Sequence, residues 1–448
     1  MPRPPLGSPG SIDAARLVER MQQYLRFDTS NPPGPGSRPD APWLDWLVET
    51  YFEPHGIEWQ THEHHLLTAW YRSKRPERPP ILLLSHSDVV PVPPEEREQW
   101  IHDPFAGVVD DGYVWGRGAI DMKSVTLMQL EALTDLVERR VRLARDYLVA
   151  VVPDEEVGGR WGGKRLTGEL WESLGDLACV LDEGGFMLED FIDGVRVAAV
   201  GLTEKSEAIM RLRARGPSGH ASVPIERDAV AELIEALQRI LKRQPVRHLH
   251  PVLAAGMRSV GRQASTATQA ITGDYLLTRP LLLNFLSKHP VTDALTRNTV
   301  TCTELAAGQG LNVRPGEARA TLNVRVMPDE PAEEVLDRFR DLLGDLDVDM
   351  ELVSAEPPVP TAPKDTFEYR ILQRVLKRAY PGLAVAPMVC PGTTESRFFA
   401  RLGVPVYRFV PVEIREDDPP GFHTANERIS IENLKRGAWL YQQLFLHW

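Results

Sequence analysis

Three short apolar runs, ILLLSH at 81–86, YLVAVV at 147–152 and LACVL at 177–181, constrain this chain more than any other feature. Each is too short for a buried helix and is bounded by turn or polar residues, so each reads as a strand covered on both faces. Segments of helical spacing, DAARLVERMQQYL and APWLDWLVETYF, precede them. Strands alternating with helices imply an α/β fold, a largely parallel sheet flanked by helices. Each run also stops at something polar: His86 and Asp88, then PDEE at 153–156, then DEGG at 182–185. In open α/β sheets the ligand crevice lies beyond the carboxyl ends of the strands, where these three ends can meet.

The pattern changes from about residue 201. EKSEAIMRLRARG alternates like a half-exposed strand, DAVAELIEALQRILKR is an amphipathic helix, and ATLNVRVMPD followed by PAEEVLDRFRDLLGDL repeats strand then helix. This predicts an α+β module of order β-α-β-β-α-β. The interval 245–297 is less regular and ends in YLLTRPLLLNFLSKHP, whose leucines admit three readings: packing, dimer contact or pocket wall. Past the proline-rich AEPPVPTAP, VPVYRFVP and GFHTANE return to the first style. The expected organisation is a catalytic domain in two segments, 1–200 and 355–448, with a lid or dimerisation domain, 201–354, inserted between them.

At 448 residues the chain exceeds the ~250–300 at which a single core stops growing, which agrees with more than one domain. Its net charge of −12 argues against nucleic acid as a main partner, because phosphate binding needs basic surface. No apolar run approaches the ~20 residues that cross a bilayer, so no membrane partner is expected. The opening MPRPPLGSPG reads as a flexible lead rather than a signal peptide, and the expected compartment is the cytoplasm. Cys179, Cys302 and Cys390 lie far apart and suggest neither a disulfide framework nor a thiolate zinc site.

On a strand, residues i and i+2 share a face, so His86 and Asp88 can act together, the imidazole on a metal and the carboxylate orienting it. The plainer alternative is a buried histidine paired with an acid. Asp121, in GRGAIDMKS, precedes a helix with Val125, Met128 and Leu136 inward, where an acid can also serve as a cap. Asp154, Glu155 and Glu156 follow a strand directly, and adjacent carboxylates repel unless a cation or a proton sits between them. As surface acids they would mean nothing. Asp182 arrives in the same way, and His423 lies in a polar loop. Histidines and carboxylates without cysteine suit zinc, cobalt or manganese with open coordination positions. There are more carboxylates than one ion needs, which fits a pair of ions about 3.5–4 Å apart.

SHSDVVPV, WGRGAIDMK, VPDEEVGG, LDEGG, GPSGHAS, LNVRPGEA, GTTESRFF and GFHTANE, in this order, resemble the signature blocks of the aminoacylase and carboxypeptidase family of two-zinc metallopeptidases. The likeness spans nearly the whole chain. The stretch from LSKHPVTDAL to ATLNVRV, with VYRFVPVEI, is most similar to the carboxypeptidase S and N-acyl-amino-acid hydrolase branch. The resemblance implies a zinc-exopeptidase-like fold and a homodimer. It also implies that His86, Asp121 and Asp182 hold one divalent ion and that Asp121, Glu156 and His423 hold the other, with zinc first and cobalt or manganese possible. It makes Glu155 the general base and Asp88 the support of His86. His220 would reach the neighbouring subunit's site, Asn312 and Arg325 would touch substrate from the lid, and Gly392 with Thr393 would form the substrate loop. The family often has Asp at the place of Glu395 and Gly at that of Pro391, so this loop departs from the pattern.

The mechanism so implied has Glu155 taking a proton from water held between the ions and returning it to the departing amine. His220 helps hold the oxyanion, and lid closure excludes bulk water. The expected enzyme cleaves an amide bond in a small substrate with a free carboxylate. An N-acyl amino acid is the first expectation and a dipeptide or peptide C-terminus the second; a non-catalytic metal-dependent binding protein is the competing class. Two decoys are set aside. Gly158, Gly163 and Lys164 have P-loop spacing, but Arg165 stands where a magnesium-binding Ser or Thr is needed. In HEHH at 62–65 only His62 and His64 would share a strand face, which reads as a solvated edge.

Overall fold

The computed structural model describes residues 12–31, 41–223, 225–243, 245–273, 275–308, 310–415 and 421–448. Its centre is a ten-stranded mixed sheet. Strand Ile81–His86 lies between Tyr147–Val152 and Cys179–Asp182, parallel to both. The crossover from the strand that carries His86 runs to one side and the chain leaving Cys179–Asp182 continues to the other, and this reversal opens a crevice at the carboxyl ends between them. These strands are buried along their whole length, as continuous apolar runs require.

The period of two then sorts side chains between the faces. Ile81, Leu83, Val149 and Leu181 pack against helices Ala14–Leu25, Lys123–Glu138, Phe367–Ala379 and Ile431–His447. Leu82, Leu84, Ala150 and Val180 face the other way, onto Leu166, Leu174, Phe399 and Ala400. HEHH is not a strand edge. It forms the turn between antiparallel strands Glu58–Thr61 and Leu67–Tyr71, with His64 and His65 at positive φ and His64 stacked on Trp161 at 3.6 Å.

A smaller antiparallel sheet, in the order Thr299–Ala307, Glu317–Val326, Ser206–Arg215, Val348–Ala355, carries helices Ala229–Lys242 and Ala332–Leu343 on one face. Its chain order is β-α-β-β-α-β. The interval 245–297 does not join it. Helix Pro251–Gly261 packs on strand Ala384–Cys390 of the large sheet, where Leu253, Ala254 and Met257 meet Val197, Ala384 and Ala386.

Where strand Val195–Glu204 ends, Arg408 Nε lies 2.6 Å from Glu204 Oε2 with both side chains fully buried. Thr394 also donates to Glu204 through its N–H and hydroxyl. Removing one partner of such a pair strands the other charge, at a cost of about 3–5 kcal/mol. Arg408→Met is expected to lose about that much stability, read as a lower denaturant midpoint at unchanged slope.

Candidate metal centre

His86 closes its strand with a buried imidazole. Its Nδ1 faces the backbone carbonyl of Asp88 at 2.8 Å, so Nδ1 donates and Nε2 is left facing the crevice. Nε2 lies 3.1 Å from Asp121 Oδ1 and 3.6 Å from Glu183 Oε1. The other oxygen of Asp121 is 3.1 Å from His423 Nε2, which in turn is 3.3 Å from Glu156 Oε1. Asp121 thus sits between the two imidazoles. Ligand-type atoms of His86, Asp121 and Glu156 lie within 4.8 Å of one another, as do those of His86, Glu155 and Glu183.

The Asp88 carboxylate stands 3.4 Å from His86 Nδ1, but its hydrogen bonds go elsewhere. Its two oxygens accept the N–H groups of Glu155 and Glu156, each at 3.1 Å. Asp88 therefore orients His86 through its main chain and the acidic turn through its side chain.

Asp182 is not in the cluster; Glu183 is. Asp182 shares a face with Val180, on the side covered by Phe399 and Ala400, and its Oδ2 accepts the Ser396 N–H at 3.1 Å. The next residue points the opposite way, and the chain bends at Gly184, whose φ is +102°. That carries Glu183 to His86.

Two further residues had no reading in the sequence. Glu427 Oε1 accepts the N–H groups of Ile120 and Asp121 at 2.9 and 3.3 Å, while its Oε2 accepts from Arg117 at 2.9 Å. Arg117 also donates to the Thr424 carbonyl, beside His423. This buried pair fastens the turn that presents Asp121 to the turn that presents His423. Each lay inside a recognised motif, WGRG and ANE, yet the partners are too far apart in sequence for local spacing to join them.

The glycines of GGRWGG have a packing role. A Cβ on Gly162 would fall 2.6 and 2.7 Å from the two carboxyl oxygens of Glu395. Gly159, Gly162 and Gly163 make room for a buried glutamate rather than for a phosphate, whereas a Cβ on Gly158 would meet nothing within 4 Å.

A cavity of about 930 Å³ opens over the cluster, reached by Asp121, Glu155, Glu156, Glu183 and His423. Arg325, Gly392 and Thr393 line it as well. Arg325 donates to Thr393 Oγ1 at 3.1 Å and pairs with Glu207 at 3.0 Å. His220 and Asn312 are not among its walls. His220 is exposed, with Nδ1 2.7 Å from Ser222 Oγ, and Asn312 meets the same loop through its carbonyl, which accepts from Ala221 N–H.

Among the described residues, the imidazoles of His86 and His423 are the only cationic groups within ion-pair distance of Asp121, Glu156 and Glu183. Burial, then the Glu183 charge, pushes Glu155 well above the ordinary carboxylate range. Burial and Asp121 push Glu183 up to about 8. Asp121 is shifted the other way: hydrogen bonds from His423 and His86 outweigh burial and hold it ionised. So many carboxylates around two imidazoles call for cations, and an N/O donor set of this kind fits divalent metal.

Residues 82–447 match peptidase family M20/M25/M40. The chain belongs to this family. The human protein named N-fatty-acyl-amino acid synthase/hydrolase PM20D1 is 31% identical over 86% of this chain and 76% of its own length. The Xenopus tropicalis protein of the same name is 34% identical over 82% and 72%, and mouse aminoacylase-1 is 29% identical over 95% and 94%. The fold matches human carnosine dipeptidase 1 with a TM-score of 0.71 at 14% identity, covering 99% of each chain. It matches the M20 family metallo-carboxypeptidase Sso-CP2 of Sulfolobus solfataricus with a TM-score of 0.70 at 17% identity, covering 96% and 98%. The M20 chain is accordingly an enzyme, a hydrolase of amide bonds that uses divalent metal. Among its described residues no helix is long and apolar enough to cross a membrane.

The imidazoles give this M20 centre a pH signature. Hydrogen bonds to Asp121 and Glu156 push His423 up to about 10, and His86 is raised as well, its carboxylate partners outweighing burial. A raised folded-state value means that the bound proton stabilises the fold fully below the ordinary pKa of 6.5, and that this contribution is lost as pH rises through about 10. A metal must displace the same protons. Titrating zinc into chelator-stripped protein near pH 7, in buffers of different ionisation enthalpy, should show release of about one proton per imidazole ligand and a further one from Glu183, which is pushed up to about 8. Zinc affinity should also climb with pH across that window.

Proposed function

We propose that this M20 enzyme hydrolyses N-acyl amino acids, with two divalent ions, zinc first, held by His86, Asp121, Glu156, Glu183 and His423. The observation that carries the substrate reading is the cavity: Arg325 and Thr393 share it with Glu155, so a carboxylate bound at the guanidinium places its amide over the acidic cluster. The printed names of the PM20D1 relatives and aminoacylase-1 support it. When bound, the ions supply Lewis acidity to the scissile carbonyl and to the attacking water. Glu155 takes the proton of that water and delivers it to the amine nitrogen as the amide bond breaks. Asp88 fixes Glu155 through the backbone, and the Glu427–Arg117 pair fixes the turn of Asp121.

In this reading the small sheet and its two helices are the lid, and the protein works as a cytoplasmic homodimer in which His220 and Asn312 serve the neighbouring site. His220 is exposed and does not line its own chain's cavity, which is compatible with that role. Mixing inactive His220→Ala and Glu155→Gln protomers should restore part of the activity, since one site of each hybrid has both groups. No recovery in dimers shown to have exchanged subunits removes His220 from the partner site.

A second reading, dipeptide hydrolysis, is favoured by Glu207 and Glu356, which also line the cavity and would suit a free amino group. A panel of N-acyl amino acids and dipeptides, with zinc, cobalt and manganese supplied in turn, separates the two. Turnover confined to dipeptides defeats the first reading.

A further inference from the structure

Arg325 enters the cavity already partnered. Glu207 stands directly opposite it in the ladder between Ser206–Arg215 and Glu317–Val326. The residues beside them, Ala208, Val324 and Val326, pack under the two helices, so alternation puts Glu207 and Arg325 together on the face that carries no helix. Arg325 Nη2 lies 3.0 Å from Glu207 Oε1, and its Nη1 donates to Thr393 Oγ1 at 3.1 Å. Glu207 has a second hold, because Asn323 Nδ2 donates to the same oxygen at 2.8 Å. Further along that face the same kind of pair recurs, Arg211 with Glu351 at 3.2 Å and Arg215 with Asp349 at 2.9 Å. The pair of Glu207 and Arg325 differs from these in that both residues line the cavity shared with Glu155. Glu356, the other acid at this end of the cavity, is committed to Arg401 at 2.7 Å.

We propose that Glu207 is a specificity-determining residue of the carboxylate end: an internal carboxylate that occupies Arg325 in the free enzyme, yields it to the carboxylate of an incoming N-acyl amino acid, and reclaims it as the amino acid product leaves. The proposal rests on the N-acyl amino acid reading above, in which Arg325 receives that carboxylate. A pair with 32% and 36% of its side chains exposed is weak, so it opens to a competitor. Neither partner is stranded when it does. Arg325 keeps Thr393, and Glu207 keeps Asn323. What competes is the charge, because two carboxylates beside one guanidinium repel each other. Glu207 therefore lowers the affinity for substrate and for product alike, whereas a substrate without a carboxylate does not meet this competition. The benefit is turnover at product concentrations that would fill an unpaired arginine.

The test compares N-acyl amino acids with their amides, and measures inhibition by the free amino acid, on metal-loaded wild type and Glu207→Gln. Glutamine keeps the length of the side chain and an oxygen for Asn323 and Arg325, so the charge alone is lost, and thermal unfolding checks the fold. The substitution should raise the acid-to-amide ratio of kcat/KM by about two- to fivefold, through KM rather than kcat. It should lower the inhibition constant of the amino acid product by a similar factor. In an Arg325→Ala background the same substitution should lose this effect. A ratio that is unchanged or lower in Glu207→Gln overturns the proposal, since cutting a mere brace of Arg325 would weaken acids. An increase that persists undiminished without Arg325 overturns it too. Wild type that turns over no N-acyl amino acid, or prefers none to its amide, overturns the reading beneath and this proposal with it.

Discussion

Glu155→Gln is expected to keep its metal and lose roughly 10²–10⁴-fold in turnover, the usual cost of removing a general base. The substitution removes a proton acceptor of the same size and leaves the backbone N–H of residue 155 free to donate to Asp88, so the turn that presents Glu156 should not move. Metal content by mass spectrometry and single-turnover rates are the two measurements needed. The raised pKa of Glu155, set by burial and the Glu183 charge, belongs to a carboxylate ready to hold a proton in transit, and a glutamine cannot take that proton up. Near-normal turnover would remove Glu155 from the chemistry, and metal loss as deep as in Asp121→Asn would make it a ligand instead.

The second large effect distinguishes two adjacent acids. Glu183→Gln is expected to weaken metal binding beyond the roughly 10–100-fold typical of losing an outer partner, and to abolish most activity with it. Asp182→Asn should retain its metal, because an amide oxygen still accepts the Ser396 N–H, and should cost only stability. Equilibrium dialysis of zinc against both variants decides the matter. The reverse result, with Asp182→Asn stripped and Glu183→Gln loaded, would return Asp182 to the metal.

The pair shows where sequence reading stops. Apolar runs ending in polar residues marked the strands and their crevice, because burial on both faces leaves no other place for an acid than the end. His86, Asp121, Glu155, Glu156 and His423 could be picked out because each sits in a motif at such an end or in a polar turn, and the structure gathers their side chains into one cluster. Choosing between residues 182 and 183 depends on which face the last strand residue takes, and a one-residue change of register exchanges the faces. Arg117 and Glu427 were hidden for another reason: their meaning lies in a contact across the whole fold. The interval 245–297 was ambiguous because a leucine-rich helix buries its apolar stripe equally well against either sheet, and only topology decides which.

The glutamate seated on the GGRWGG loop carries an evolutionary consequence. Its two carboxyl oxygens and the Cβ of buried Val152 all fall within 2.7 Å of the point a methyl group on Gly162 would occupy, so the strand holds this glycine as firmly as the acid does. Shortening the acid by one methylene, as Glu395→Asp does, empties only part of that space, and Gly162→Ala should stay disruptive beside it. The coupling is one-sided. The acid can be exchanged for a shorter one while the loop keeps its bare backbone, whereas a side chain at 162 requires the strand beneath it to change as well.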